Sequence, residues 1–269
     1  MSGTESEKRP ASPESAVVLL SGGMDSTTLL HYVVRRLAVG KVYALSFLYG
    51  QKHRRELEAA AWQARAAGVI AHDVVDMSFF GALTPGGSTL TDQALDVPRL
   101  ADLGAAQLSQ PPTYVPNRNM ILLSLAAAYA EARGVADIYY GAQAQDRYGY
   151  WDCTAGFLDR INAVLALNRR IPVRVQAPFV AWRKAEELRL GRDLGVDYAH
   201  TWTCYRGESA PCGNCPACVE RAAAFREAGW PDPLLRVCFT KGRTGRITAG
   251  PGGAYGGVVP ETERTLSRT

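Results

Sequence analysis

Short apolar runs alternate along this chain with segments whose apolar positions recur every three or four residues. Residues 16–20 are continuously apolar, and Leu29, Leu30, Val33, Val34 and Leu37 follow at helical spacing, which predicts a strand, a tight connection and a helix. The same alternation predicts further strands at 42–48, 69–75, 136–140 and 173–176. It predicts helices over 53–67, 118–133, 157–168 and 184–194, the last taken as the final helix. Regular β-α alternation implies an α/β fold, a doubly wound parallel sheet with ligands at the carboxyl ends of its strands. A loop-rich segment spans 77–116, with Gly86-Gly87 and Pro111-Pro112; a connection of that length belongs to lids, binding loops or disorder.

The connection after the first strand reads Leu20-Ser21-Gly22-Gly23-Met24-Asp25-Ser26. Paired glycines let the backbone turn with positive φ and aim amide N–H groups at an oxyanion. The first turn of the helix adds its own unpaired donors and positive dipole end. Ser21 and Ser26 contribute hydroxyls, and Asp25 is suited to hold a divalent cation against bound phosphates. Neither a Gly-x4-Gly-Lys-Ser/Thr loop nor a Gly-x-Gly-x-x-Gly after a strand occurs, so the two commonest alternative phosphate motifs are absent.

With 269 residues the chain is long enough for one good-sized domain with extensions. Its formal charge of +4, from 30 basic and 26 acidic residues, is a mild excess that gives no support for a nucleic-acid partner. Residues 1–15 are polar and charged and read as a flexible extension without a secretory leader. No apolar stretch is long enough to cross a membrane, so the expected location is the cytoplasm. Residues 231–269 carry glycine and basic residues without apolar period and read as a flexible tail. The domain is expected over 16–230.

In a reducing compartment six cysteines suggest metal or chemistry before disulfides. Cys204, Cys212, Cys215 and Cys218 form C-x7-C-x2-C-x2-C among glycines and prolines, a knuckle at 204–218. Four thiolates suit a closed tetrahedral zinc site that contributes to folding and leaves no position for substrate. An iron–sulfur cluster is the rival for such a set.

The phosphate loop matches that of the ATP pyrophosphatase superfamily, whose members resemble one another in cleaving ATP between its α- and β-phosphates. Five further segments sharpen the resemblance: Tyr49-Gly50-Gln51-Lys52-His53, Val115-Pro116-Asn117-Arg118-Asn119, Gly149-Tyr150-Trp151-Asp152-Cys153, Trp182-Arg183-Lys184-Ala185-Glu186 and Thr201-Trp202-Thr203-Cys204-Tyr205. They occur in the same order as in the 7-cyano-7-deazaguanine synthase family, over roughly residues 16–228, with a similar four-cysteine knuckle. The resemblance implies an adenine nucleotide α-hydrolase-like domain. It also implies ATP, Mg²⁺ and Zn²⁺ as cofactors, 7-carboxy-7-deazaguanine and ammonia as substrates, and a homodimer.

Carried over residue by residue, the resemblance gives Leu20, Ser21, Gly22, Gly23, Asp25, Ser26 and Asn119 to the nucleotide and its metal. Asp25, Lys184 and Arg118 become the catalytic residues, with Lys184 reaching the phosphates and Arg118 lying near nucleotide and acyl group. Tyr49, Gln51, His53, Asp146, Tyr150 and Asp152 become the substrate side. The sequence departs from the family pattern at Asn117, where glycine is usual, at Trp151 in place of proline, and at Thr154 where arginine is common; Arg147 and Tyr148 are also atypical. Those in the substrate loop leave one further reading, a relative that stops at the amide or uses another amine; the resemblance of the phosphate loop to enzymes that adenylate a base before sulfur transfer leaves a second, a tRNA base thiolation enzyme.

Overall fold

The computed structural model describes residues 13–52, 54–144 and 150–235. Five parallel strands, β1 Ser15–Leu19, β2 Lys41–Leu48, β3 Ala71–Asp76, β4 Asp137–Tyr139 and β5 Arg174–Gln176, form one sheet in the order β3-β2-β1-β4-β5. Val17 pairs with Tyr43 on one side and Ile138 on the other, so β1 is central. Its residues alternate between two separate cores. Val17 packs with Leu45, Leu123 and Ile138, whereas Ala16 and Val18 pack with Leu29, Leu30 and Ala60. A strand covered on both faces needs apolar residues at every position, which explains the unbroken run.

The helices are α1 Met24–His31, continued by one π-helical turn at Tyr32–Arg36, α2 Arg55–Ala67, α3 Phe79–Leu83, α4 Ala105–Ser109, α5 Arg118–Ala132, α6 Ala155–Leu165, α7 Lys184–Asp193 and α8 Pro216–Ala228. The chain builds β1, β2 and β3 outward in one direction and then returns to the other side of β1 for β4 and β5. This reversal opens a crevice at the carboxyl ends of β1 and β4.

The doubly wound parallel sheet agrees with the sequence reading, and its strands begin or end within two residues of the expected limits. Three features differ. The segment 77–116 holds α3, α4 and a 3₁₀ turn at Leu100–Asp102. Helix α8 follows α7, so 184–194 is not the last helix. Asp232 and Leu234, placed in the tail by sequence, are packed against the cysteine-rich segment: Asp232 takes two hydrogen bonds from buried Arg221 at 2.6 and 2.8 Å. The expected extensions lie mostly in 1–12 and 236–269, outside the described residues.

Candidate active site

The crevice is a cavity of about 650 Å³, within the range of small-molecule sites. Its floor is the loop after β1. Gly22 takes φ +86°, and a Cβ there would collide with the Glu56 carbonyl oxygen and lie 2.7 Å from Ala60 N; only glycine lets the loop press this closely on α2. Gly23 is the extended N-cap of α1, and the Trp202 N–H donates to the Gly22 carbonyl at 2.9 Å. The two serines brace each other with hydroxyls 2.9 Å apart, and Ser21 Oγ accepts from Gly23 N at 3.2 Å. Local sequence thus shapes a loop whose open side faces the cavity.

Asp25 stands in the first turn of α1 and lines the cavity. Burial raises its pKa, opposed by the Lys184 ammonium and reinforced by the Glu220 carboxylate. A deeply placed carboxylate of this kind gains from a cation at its side. Lys184 is the first residue of α7 and is almost wholly buried; its Nζ donates to Glu220 Oε2 at 2.6 Å.

Opposite the phosphate loop, α5 begins after Asn117, which adopts φ +52° and ψ 20°. Asn is among the few side chains that tolerate this region, so it serves where glycine would. The turn aims Arg118 and Asn119 at the cavity. Arg118 lies over the Tyr49 ring at 5.6 Å and donates to Tyr49 Oη at 3.4 Å. Burial works against its charge, but the surrounding Tyr49, Tyr150, Cys153 and Tyr205 keep the guanidinium protonated beyond its usual range. Tyr49 itself is fixed from below: its N–H donates to Gln51 Oε1 at 2.7 Å, and Gln51 Nε2 donates to Phe47 O at 3.1 Å.

Of the residues singled out by sequence, Leu20, Ser21, Gly23, Asp25, Ser26, Tyr49, Gln51, Arg118, Asn119, Tyr150 and Lys184 line this one cavity. Gly22 shapes the loop from behind. Asp152 is not part of the wall. It is buried under α5, where Oδ2 accepts from the Asn119 N–H at 3.3 Å and burial raises its pKa. Its effect on the cavity passes through Asn119. His53 and Asp146 lie outside the described residues.

Two carboxylates in the wall were missed. Glu56 sits in the first turn of α2, and its carboxyl is pushed up to about 8 by burial, with Arg118 opposing. Glu220 reaches in from α8. An acidic residue near a helix start reads as a cap, and one beside a cysteine cluster as a solvated neighbour, so neither carried a sequence signal. The long loop contributes Thr113, whose hydroxyl meets Tyr150 Oη at 2.7 Å, and Tyr114, whose Oη accepts from Trp151 Nε1 at 2.9 Å and from Asn117 N at 3.0 Å. These bonds tie the loop over 77–116 to the rim.

The cysteine segment closes one side. Cys204, Cys212, Cys215 and Cys218 place their sulfurs within 4.8 Å of one another, with Cys212 and Cys218 4.0 Å apart. A tetrahedral ion with sulfur bonds of about 2.3 Å separates its ligands by about 3.8 Å, so this set fits one metal ion with little adjustment. The four thiols are close enough to titrate as one coupled set, with Cys204 and Cys212 lowered and Cys215 and Cys218 raised by hydrogen bonding among them. Cys215 is the N-cap of α8, which couples the cluster to that helix, and Trp202 Nε1 donates to Cys204 O at 3.0 Å beside the cavity.

Among the described residues no helix is long and apolar enough to cross a membrane. Residues 15–229 match the family model described as "Queuosine biosynthesis protein QueC". Similar proteins include the 7-cyano-7-deazaguanine synthase of Marinobacter nauticus, 45% identical over 221 residues that cover 82% of this chain and 96% of the relative. The one from Chromohalobacter salexigens is 46% identical over 226 residues, covering 84% and 87%. The one from Thermosynechococcus vestitus is 43% identical over 227 residues, covering 82% and 95%.

Proposed function

As this chain belongs to the QueC family, we propose that it is an ATP-dependent ligase that converts 7-carboxy-7-deazaguanine, with ammonia, to the amide and then to 7-cyano-7-deazaguanine. The observation that carries the reading is the meeting of the phosphate loop, Asp25, Lys184 and Arg118 in one cavity. A carboxylate is a poor electrophile because its charge is delocalised and neither oxygen can leave. When its oxygen attacks the α-phosphorus of ATP, pyrophosphate departs and the acyl group acquires AMP as a leaving group. Ammonia then adds at the acyl carbon, AMP leaves, and the nitrogen sheds a proton to give the amide. In the second cycle the amide oxygen attacks a second α-phosphorus and pyrophosphate leaves again. Loss of the nitrogen's protons with AMP then forms the C≡N bond.

Every step asks for positioning and charge neutralisation more than for a nucleophilic side chain. The loop N–H groups and Lys184 hold the leaving pyrophosphate, and Asp25 with the loop hydroxyls would hold Mg²⁺, which lowers the negative charge facing the attacking oxygen. Arg118 orients the acyl carboxylate by a forked contact, with Tyr49 and Tyr150 beside it. Zn²⁺ would be held by Cys204, Cys212, Cys215 and Cys218, where it supplies folding energy. The departures at Trp151 and Thr154 are compatible with the full reaction, because neither side chain is part of the cavity wall. Trp151 bonds to Tyr114, and Thr154 caps α6 by accepting from Phe157 N at 3.2 Å.

The test mixes purified protein with ATP, ammonium and 7-carboxy-7-deazaguanine, and follows nucleotides and products by mass spectrometry. Expected are AMP and pyrophosphate, two of each per nitrile. Release of ADP, or no ATP cleavage with this acid, removes the proposal; amide as the sole product confines it to the first cycle. Asp25→Asn is expected to lower turnover about a hundredfold or more by loss of cation positioning.

A further inference from the structure

Helix α8 carries a carboxylate into the cavity that the chemistry above leaves without a task. Glu220 Oε2 lies 2.6 Å from Lys184 Nζ, and both side chains line the cavity together with Ser21, Asp25 and Ser26. The pair is unequal: the Lys184 side chain is 9% exposed and that of Glu220 44%. Lys184 also opens α7, at the helix end whose dipole disfavours an ammonium, so its position is set against local preference and maintained by packing. Glu220 has solvent into which it can turn; Lys184 does not.

Any anion that reaches the Lys184 ammonium therefore competes with a carboxylate already bonded to it. Resting on the phosphate-loop reading above, we propose that Glu220 is a positioning residue that competes with pyrophosphate for Lys184, limiting how tightly the loop retains its leaving group. Pyrophosphate must displace a short charge-assisted contact to gain the full strength of Lys184. It does so with the Glu220 charge in the same cavity. On the reading that Lys184 and the loop hold the departing pyrophosphate, both effects bear on the released product more than on attack at the α-phosphorus. In a reaction that expels pyrophosphate twice, such a competitor speeds clearance of the loop.

Isothermal titration of the full chain with pyrophosphate and Mg²⁺ tests this. Glu220→Gln should bind pyrophosphate about three- to fivefold more tightly than the unaltered protein, the scale for losing one half-exposed ionic competitor. Lys184→Met should bind it more weakly, and adding Glu220→Gln to Lys184→Met should change affinity less than twofold. Glu220→Ser, read in parallel with thermal melting, guards against a fold effect of one replacement. Unchanged affinity in both Glu220 variants overturns the proposal. Weaker binding also overturns it and marks Glu220 as a holder of the cation, while an equal tightening with and without Lys184 reduces it to general repulsion. If the unaltered protein binds no pyrophosphate, the phosphate-loop reading fails and the competition with it.

Discussion

Glu56 and Asp152 illustrate how burial assigns roles that residue type does not. The half-buried Glu56 carboxyl is raised to about 8 by burial, with the Arg118 guanidinium opposing, so its titration falls near neutral pH instead of in the ordinary carboxylate range. A raised folded-state pKa means that the native protein binds more protons than the unfolded chain between about pH 4.5 and 8. The stabilisation is complete below that window and is lost as pH rises through 8. Thermal melting across pH 5–9 should show a fall in midpoint for the unaltered protein that is flattened in Glu56→Gln, whose amide does not titrate. Parallel pH curves would remove this assignment. Asp25 was readable from its own chain neighbours, a glycine pair before a helix, whereas Lys184 was singled out only through the family resemblance carried by Trp182-Arg183-Lys184-Ala185-Glu186. Glu56 and Glu220 were not, because what makes them part of the cavity comes from segments remote in sequence.

At the scale of elements, the phosphate loop depends on α2 as much as on its own glycines. Gly22→Ala would force a Cβ into the Glu56 carbonyl and hold alanine at φ +86°, so we expect a loss of about 2–4 kcal/mol in stability and failure to bind pyrophosphate. Denaturant unfolding of Gly22→Ala against Gly86→Ala separates the two causes. Gly86 has φ +68° but nothing within 4 Å of a Cβ, so it should cost only the backbone term, about 1 kcal/mol. A similar loss in both would mean that close packing on α2 is unimportant. Helix α8 escaped the sequence reading for a physical reason. Its buried face is Ala217, Cys218, Arg221, Ala224 and Phe225, at helical spacing but with an arginine and two alanines where large apolar residues would announce a stripe. Arg221 is tolerated inside because Asp232 Oδ1 and Oδ2 both accept from it and Tyr198 O accepts a third bond at 3.1 Å.

Across the whole molecule the cysteine cluster joins parts that the sheet does not. It begins α8, packs Leu234 and Val97 against Trp202, and receives the long loop through Leu100 N donating to Asn214 O at 3.0 Å. One tightly bound zinc per chain is expected. Cys204→Ser should lower the melting temperature by roughly 5–10 °C, the size of a loss of about 2–3 kcal/mol in a domain of this length. Elemental analysis with absorption spectroscopy checks the metal, and iron with a visible charge-transfer band would replace zinc by a cluster. The alternation of strands and helices, the glycine loop and the cysteine set were determined by the sequence itself, because each depends on residues close together in the chain: an apolar run, a glycine pair before a helix, four thiols within fifteen positions. Tertiary structure alone decided that Glu56 and Glu220 enter the cavity, that Asp152 stands behind it, and that Tyr114 ties Asn117 to Trp151. Those relations join side chains from separate elements, and only the packing of helices on the sheet sets the distances between them.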